Sequence, residues 1–557
     1  MSKRKIIPIG KEDFKDIVDK NCYFVDKTML IKDVLDSGAN VTLFTRPRRF
    51  GKTMNMSMLR HFFEKTEQDN SYLFEGLKIS ESGAEYLKHM GQYPVISISL
   101  KGIGQPTYDG AFYEFKKLVA SEIWRHKELL ESDSIMLFDK AVLEKICNGE
   151  ADDVVYFTSL KLLSNCLYNE YGKKVIVLID EYDVPLQSAY KYGYYDEMTG
   201  LIRSVFESVL KTNDSLELAV LTGCLRVSKE SIFTGLNNLD VNSIKSVQCS
   251  EYFGFTETEV QELADYYGIS SKISEIKKWY DGYMFGKTEI YNPWSVLNYI
   301  KTAISDEDAI AEQYWSNTSS NDIIHELIVK GDRRTKNDVE TLITGGTIEK
   351  PLYDDITYNN IDVNSEYVWS FLLHTGYLKP VKYYKNGVQS YFTAIIPNTE
   401  IVTVYENTFR KWFDESVRVA DKSILLNAVL SGDAETFEQE VNKWLIRSIS
   451  YHDGYENFYH GFLVGLLEYS EDYLVESNRE QGTGRSDIII KDIIKKEAVI
   501  IEIKSVRKGE TLSGQCDYAL EQIEKRGYDV NIGFENYKKI IKYGVAFFEK
   551  QCMVKIK

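Results

Sequence analysis

Near the N-terminal end, Gly51, Lys52 and Thr53 directly follow an apolar run in VTLFTRPRRFGKTMNM. A glycine that allows a tight turn, a lysine for the β- and γ-phosphates and a hydroxyl for magnesium are the parts of a phosphate-binding loop. The segment TMNMSMLRHFFE reads as a helix whose positive end would face those phosphates. Near the other end, Asp487 stands upstream of VIIEIKS, which carries Glu502 and Lys504. Two carboxylates suit magnesium or manganese, hard cations that favour oxygen ligands. Such a metal polarises a phosphoryl oxygen and lowers the pKa of its water. A lysine beside it can orient that water or stabilise charge on the phosphate. Phosphodiester hydrolysis needs these functions together.

Further residues extend each set. KKVIVLIDEYD is an apolar strand that ends in Asp180-Glu181. There the Asp would hold magnesium through water and the Glu would orient or activate an attacking water. LELAVLTG ends in Thr222, placed to sense a γ-phosphate, and Arg226 follows in CLRVSKES as a cation for phosphate charge. The full loop pattern wants glycine at position 46, where this chain has Arg46 and then Pro47, so the first turn must be made differently. In the second set, side chains alternate along a strand, so Glu502 and Lys504 share one face while Ile501 and Ile503 take the other. Asp487 opens the neighbouring strand and could reach the face of Glu502. Gly482, Gly484 and Arg485 precede it in a stretch expected to bend toward a substrate. In GQCDYALEQIEKRGY, Cys516, Ala519, Leu520 and Ile523 recur at helical spacing, and Gln522 flanks that stripe. Glu468 and His460 lie on the apolar segment FYHGFLVGLLEYS that precedes this set.

The apolar runs at 41–45, 94–100, 174–180 and 217–222 have the length and bulk of buried parallel strands. Helical patterns at 112–130 and 156–169 lie between them. This alternation predicts an α/β three-layer domain with a parallel sheet over residues 1–255. Residues 256–450 read as a mostly helical extension with a strand pair at 377–395. Residues 451–557 read as a small α/β domain in the order helix, strand, strand, helix, strand.

The net charge of −17 counts against a generally basic nucleic-acid surface. Residues 451–557 are much nearer neutrality, at roughly −2 by residue type. A local groove with metal ions to offset carboxylate repulsion can still take a nucleic acid. The seven cysteines are scattered without a CxxC pair, which disfavours a zinc site and suits reduced thiols. No stretch approaches the roughly 20 apolar residues of a membrane span. MSKRKIIPIGKEDF lacks an apolar signal core, so the expected location is the cytoplasm, away from membranes.

YFVDKTMLI, TRPRRFGKT, IDEYDVPL, TGCLRVSKESIFTGLNNL, WYDGYMFG and IYNPWSVLNYI resemble the AAA-ATPase-like family of bacterial proteins over roughly residues 5–300. That resemblance implies an ASCE-type P-loop fold. It also implies a nucleotide site that includes Arg46 and Arg49 of the RPRRFGKT motif. Tyr291-Asn292-Pro293-Trp294 would lie near the nucleotide, in a helical or winged extension. Residues 451–535 resemble the PD-(D/E)xK nuclease superfamily, in its restriction-endonuclease-like α/β form. Carried over position by position, Asp487 and Glu502 become metal ligands, Lys504 the catalytic lysine and Gln522 an accessory polar group. The function expected is ATP binding and hydrolysis fused to metal-dependent cleavage of nucleic acid, DNA or RNA. Its cofactors would be ATP and Mg2+, with Mn2+ as an alternative at the second site. Assembly with further copies of the chain stays open. So does a second reading, a nucleotide-dependent regulatory or scaffolding switch whose nuclease-like domain is inactive and binds a protein partner.

Overall fold

A computed structural model of the chain describes residues 4–557 apart from 212, 226–231, 234–237, 316–332, 355, 357, 359–365, 409–421, 448–455, 468–472, 482–483, 493–494, 508, 529–536 and 549–550. The chain divides into two compact units, Met1–Ser319 with Thr347–Thr403, and Ser320–Gly346 with Val404–Lys557.

In the first unit, β1 (Val41–Thr45), β2 (Val95–Ser99), β3 (Val175–Asp180), β4 (Leu216–Gly223) and β5 (Leu239–Asn242) form one sheet in the order β2-β3-β4-β1-β5. Every pairing in it is parallel. Both faces are covered, so β1 and β3 are buried along their whole length, and their sequences are unbroken apolar runs rather than alternating ones. The expected strands and the helices between them are present, the latter as Tyr108–Arg125 and Ser159–Tyr171. The fifth strand, LDVN, escapes sequence reading because it is short and half polar. α1 (Lys52–Phe63) leaves the loop after β1. Because β4 lies between β1 and β3, the carboxyl ends of all three adjoin, where open α/β sheets bind ligands.

Residues 257–305 add a helical layer with its own apolar core, in which Val260, Leu263, Tyr280, Val296 and Tyr299 pack together. Its last helix is α2 (Pro293–Ser305), preceded by the short hairpin β6 (Tyr283–Phe285) and β7 (Thr288–Ile290). Farther on, β8 (Ile348–Pro351), β9 (Lys379–Asn386) and β10 (Gln389–Ile395) pair in the order β8-β10-β9. β9 and β10 are the strand pair expected at 377–395, turning at Gly387 with φ +61° after Asn386.

The second unit holds a sheet in the order β11 (Tyr473–Gln481), β12 (Gly484–Asp492), β13 (Glu497–Ser505), β14 (Lys539–Phe548) and β15 (Gln551–Ile556). Its preceding helix is α3 (Glu456–Leu467). β13 and β14 run parallel, and the other neighbours are antiparallel. α4 (Leu512–Arg526) makes the crossover, starting at the Thr511 cap and ending at left-handed Gly527. Ile488, Ile490, Val499, Ile501 and Ile503 face one core, which α3 covers with Phe462 and Leu463. Ile489, Ala498 and Ile500 face α4 through Leu520 and Ile523. The edge strands β11 and β15 were not anticipated, because a polar run such as YLVESNREQ carries little strand signal at a sheet edge. Among the described residues, no helix is long and apolar enough to cross a membrane.

Candidate functional site

Gly51 caps α1 with φ +83°, a conformation that suits glycine, and this turn points the start of α1 toward the loop. Lys52 is 3% exposed. Its ammonium donates to the carbonyls of Arg46 at 3.2 Å and Pro47 at 3.1 Å and lies 3.9 Å from Glu181. Burial opposes its charge, but the Cys224 sulfur and the carboxylates of Glu181, Asp183 and Asp180 outweigh that and hold its pKa above the usual lysine value. The Thr53 hydroxyl donates to Asp180 Oδ2 at 2.7 Å. Burial raises the Asp180 carboxyl, while the Thr222 and Thr53 hydroxyls work the other way. Glu181 has φ +51°, one of five non-glycine residues with positive φ among those described, and Arg49 at +68° is another. Such conformations cost energy and gather at functional sites. A cavity of about 580 Å³ opens over Gly51, Lys52 and Thr53, with Arg49, Glu181 and Trp294 on its walls.

Thr222 and Arg46 do not line this cavity. Thr222 is buried and does not face this cavity: its hydroxyl donates to Asp180 Oδ1 and accepts the Glu181 N–H at 3.2 Å. It therefore holds the Asp180 carboxylate and the Glu181 backbone, because β4 runs beside β3. Arg46 is fully buried and turned away from the cavity. It donates to the carbonyls of Thr45 (2.9 Å) and Asn242 (2.7 Å) and to Asn242 Oδ1 (2.8 Å), and it stacks on Phe253 and Phe285. It braces β1 against β5, and burial pushes its pKa down to about 9. Arg46→Ala would strand these acceptors and is expected to cost about 2–3 kcal/mol of stability, measurable by denaturant unfolding. Arg226 lies outside the described residues. Arg49 lines the cavity with its guanidinium 3.8 Å from the Trp294 ring centroid and its Nη1 buried without a hydrogen-bond partner. Pro293 and Trp294 reach the cavity, whereas Tyr291 packs in the helical core and Asn292 caps α2.

In the second unit, β12 and β13 pair Ile488 with Ile501, which sets Asp487 opposite Glu502 one residue farther along. Asp487, half-buried, accepts the Ile503 N–H at 2.8 Å, and its own carbonyl contacts His460 Nε2 at 2.9 Å. Glu502 is 1% exposed. Its Oε1 accepts from Lys504 Nζ at 3.2 Å and from Gln522 Nε2 on α4. Its Oε2 is buried with no hydrogen-bond partner. Burial first, and then the Asp487 charge, push the Glu502 carboxyl well above the usual range, with Lys504 pulling the other way. Asp487, Glu502, Lys504 and Gln522 are thus brought together. Among the described residues no group of three or more His, Cys, Asp or Glu could hold a metal. Glu468, Gly482 and the side chain of Arg485 fall outside what is described.

Residues 8–233 match the family described as predicted AAA-ATPase, and residues 454–557 match the PD-(D/E)XK nuclease superfamily. The chain joins an AAA-ATPase-like domain to a PD-(D/E)XK-superfamily domain. It is also 25% identical over 539 residues to a protein of Azotobacter chroococcum mcd 1 named "Uncharacterized protein in vnfD 5'region", covering 94% of this chain and 93% of that one.

Some residues of the AAA-ATPase-like domain were not singled out from sequence. Asp183, in the same IDEYD segment, is buried and accepts the N–H groups of Cys224 and Leu225 at 2.9 and 3.1 Å, fixing the end of β4. Cys224 Sγ lies 3.7 Å from the Lys52 ammonium. Position within a motif could have flagged Asp183. No local pattern marks Cys224.

Proposed function

We propose that this chain binds and hydrolyses ATP with magnesium over Gly51-Lys52-Thr53 and cleaves nucleic acid with a divalent metal at Asp487, Glu502 and Lys504. The observation that carries the reading is the Glu502 carboxylate, buried with one oxygen left without a partner. Burying an ionised carboxylate costs several kcal/mol unless it is paired or holds a cation. An all-oxygen donor pair fits magnesium or manganese, with Asp487 and Glu502 as the residues to hold it. A bound metal would supply Lewis acidity and an acidified water. Gln522 steadies Glu502, and Lys504 keeps a positive charge where the phosphate would lie. In the AAA-ATPase-like domain, Lys52 supplies charge to the phosphates, Thr53 and Asp180 are the residues to hold magnesium, and Glu181 is placed to orient water.

Incubation of the full chain with DNA and with RNA, each with and without ATP and manganese, tests the reading. Metal-dependent cleavage of either substrate supports it. ATP binding without cleavage under any of these conditions favours the switch or scaffold reading, which the acidic net charge also suits. For the first site, Lys52→Ala is expected to weaken ATP affinity by more than about tenfold, since it removes a buried charge. Equal calorimetric affinities for the two proteins would count against the loop.

A further inference from the structure

Two indoles hold consecutive residues of the phosphate loop. Trp315 Nε1 donates to the Arg48 carbonyl at 3.2 Å, and Trp294 lies under the Arg49 guanidinium. Both tryptophans stand in segments tied to a single carboxylate. Glu400, 0% exposed, accepts the main-chain N–H groups of Tyr314 at 2.7 Å and Trp315 at 2.8 Å. It also accepts the Ser295 hydroxyl at 2.9 Å. Ser295 follows Trp294 in the first turn of α2, where the Asn292 cap accepts its N–H. Tyr377 packs its ring against Trp315 at 4.8 Å, and a side chain at Gly376 would press on Pro47 of the loop. The second half of the first unit thus grips the loop through paired contacts that meet at Glu400.

The placement of these residues along the chain matters as much as the contacts. Trp315 stands just before the first unit ends at Ser319, and Glu400 just before it ends again at Thr403. Beyond both points the chain belongs to the second unit. Arg49, held in left-handed backbone with its Nη1 unpartnered on the cavity wall, has an unmet hydrogen-bonding need that a phosphate oxygen would meet. Meeting it would draw the guanidinium from Trp294 and shift the loop carbonyl that Trp315 holds. A ligand biases a conformational equilibrium only through contacts that differ between its states, and on this reading these two contacts would be such.

We propose that Glu400 is a positioning residue that relays nucleotide occupancy of the phosphate loop, through Trp294 and Trp315, to the two places where the chain passes into the second unit. The inference rests on the reading that the loop binds nucleotide, and it adds a role for residues far from the loop in sequence. Glu400 itself does not touch the nucleotide. Its carboxylate fixes the Tyr314–Trp315 segment and the start of α2 with respect to each other, so that the two indoles respond together.

The test is hydrogen exchange on the full chain with and without ATP and magnesium, on wild type, Glu400→Gln and Trp315→Phe, with affinity measured by calorimetry. Glutamine keeps the shape but loses the charge and one acceptor, and phenylalanine keeps a ring but loses the donor to Arg48. In wild type, ATP is expected to change exchange at residues 311–315 and 399–408. Both variants should still bind ATP yet lose at least half of that response. Lys52→Ala should show none of it. Variants that respond as wild type does, or a wild type that binds ATP without change at these segments, would overturn the relay. A wild type that does not bind ATP overturns the loop reading itself, and calorimetry separates that outcome from failure of the relay. Should Glu400→Gln melt well below wild type, Trp315→Phe decides the question.

Discussion

Lys504→Ala is expected to slow cleavage strongly while leaving divalent metal binding intact. Lys504 is not one of the two oxygen ligands proposed; its ammonium sits 3.2 Å from Glu502 Oε1 and donates to the Ile503 carbonyl at 2.8 Å. Removing one preorganised donor to a developing oxyanion costs about 10²–10³-fold in rate. Asp487→Ala is expected to lose metal binding and cleavage together. Calcium should support substrate binding better than cleavage, since it is larger and holds looser geometry than magnesium. Metal binding should also be linked to protons. Glu502 titrates above its ordinary value in the folded chain, so it binds a proton more readily when folded, and metal must displace that proton. Affinity is therefore expected to rise with pH from the ordinary carboxylate range toward neutrality. Isothermal titration with manganese at several pH values, alongside a cleavage assay, checks all of these outcomes. A Lys504→Ala protein that cuts at the wild-type rate, or a flat pH dependence of metal affinity, would count against the assignment.

Glu181→Gln is expected to slow ATP turnover by about 10²-fold or more while ATP still binds, on the usual scale of general-base contributions. Glutamine keeps the shape of the side chain and removes its basicity. The geometry gives this substitution a sharp meaning. Glu181 is held in left-handed backbone at the end of β3, with its N–H on the Thr222 hydroxyl and its carboxylate 3.9 Å from Lys52. The backbone conformation does not depend on the side-chain charge, so the amide should sit where the acid did. Parallel loss of binding and turnover, measured by calorimetry and phosphate release, would instead give Glu181 a structural role through its ion pair with Lys52.

Much of this protein was determined by its sequence, in the places where one residue's role depends on its near neighbours. The central strands of the first sheet were readable because doubly covered strands must be apolar along their whole length. The loop was readable because a tight turn, a cation and a hydroxyl must follow in sequence. The shared face of Glu502 and Lys504 followed from strand alternation. Tertiary structure alone decided what depends on chains meeting across space. β4 lies between β1 and β3, and that placement set Thr222 on the Asp180 carboxylate and the Glu181 N–H, away from the cavity. β5 lies beside β1, and Asn242 on it took Arg46 out of the nucleotide site and into a buried brace. The register of β12 on β13 set Asp487 opposite Glu502, and α4 brought Gln522 onto the same carboxylate. The joining of Trp294, Trp315 and Glu400 has no local signature at all. A buried carboxylate can gather donors from segments about a hundred residues apart, because its partners are chosen by distance and geometry rather than by order along the chain.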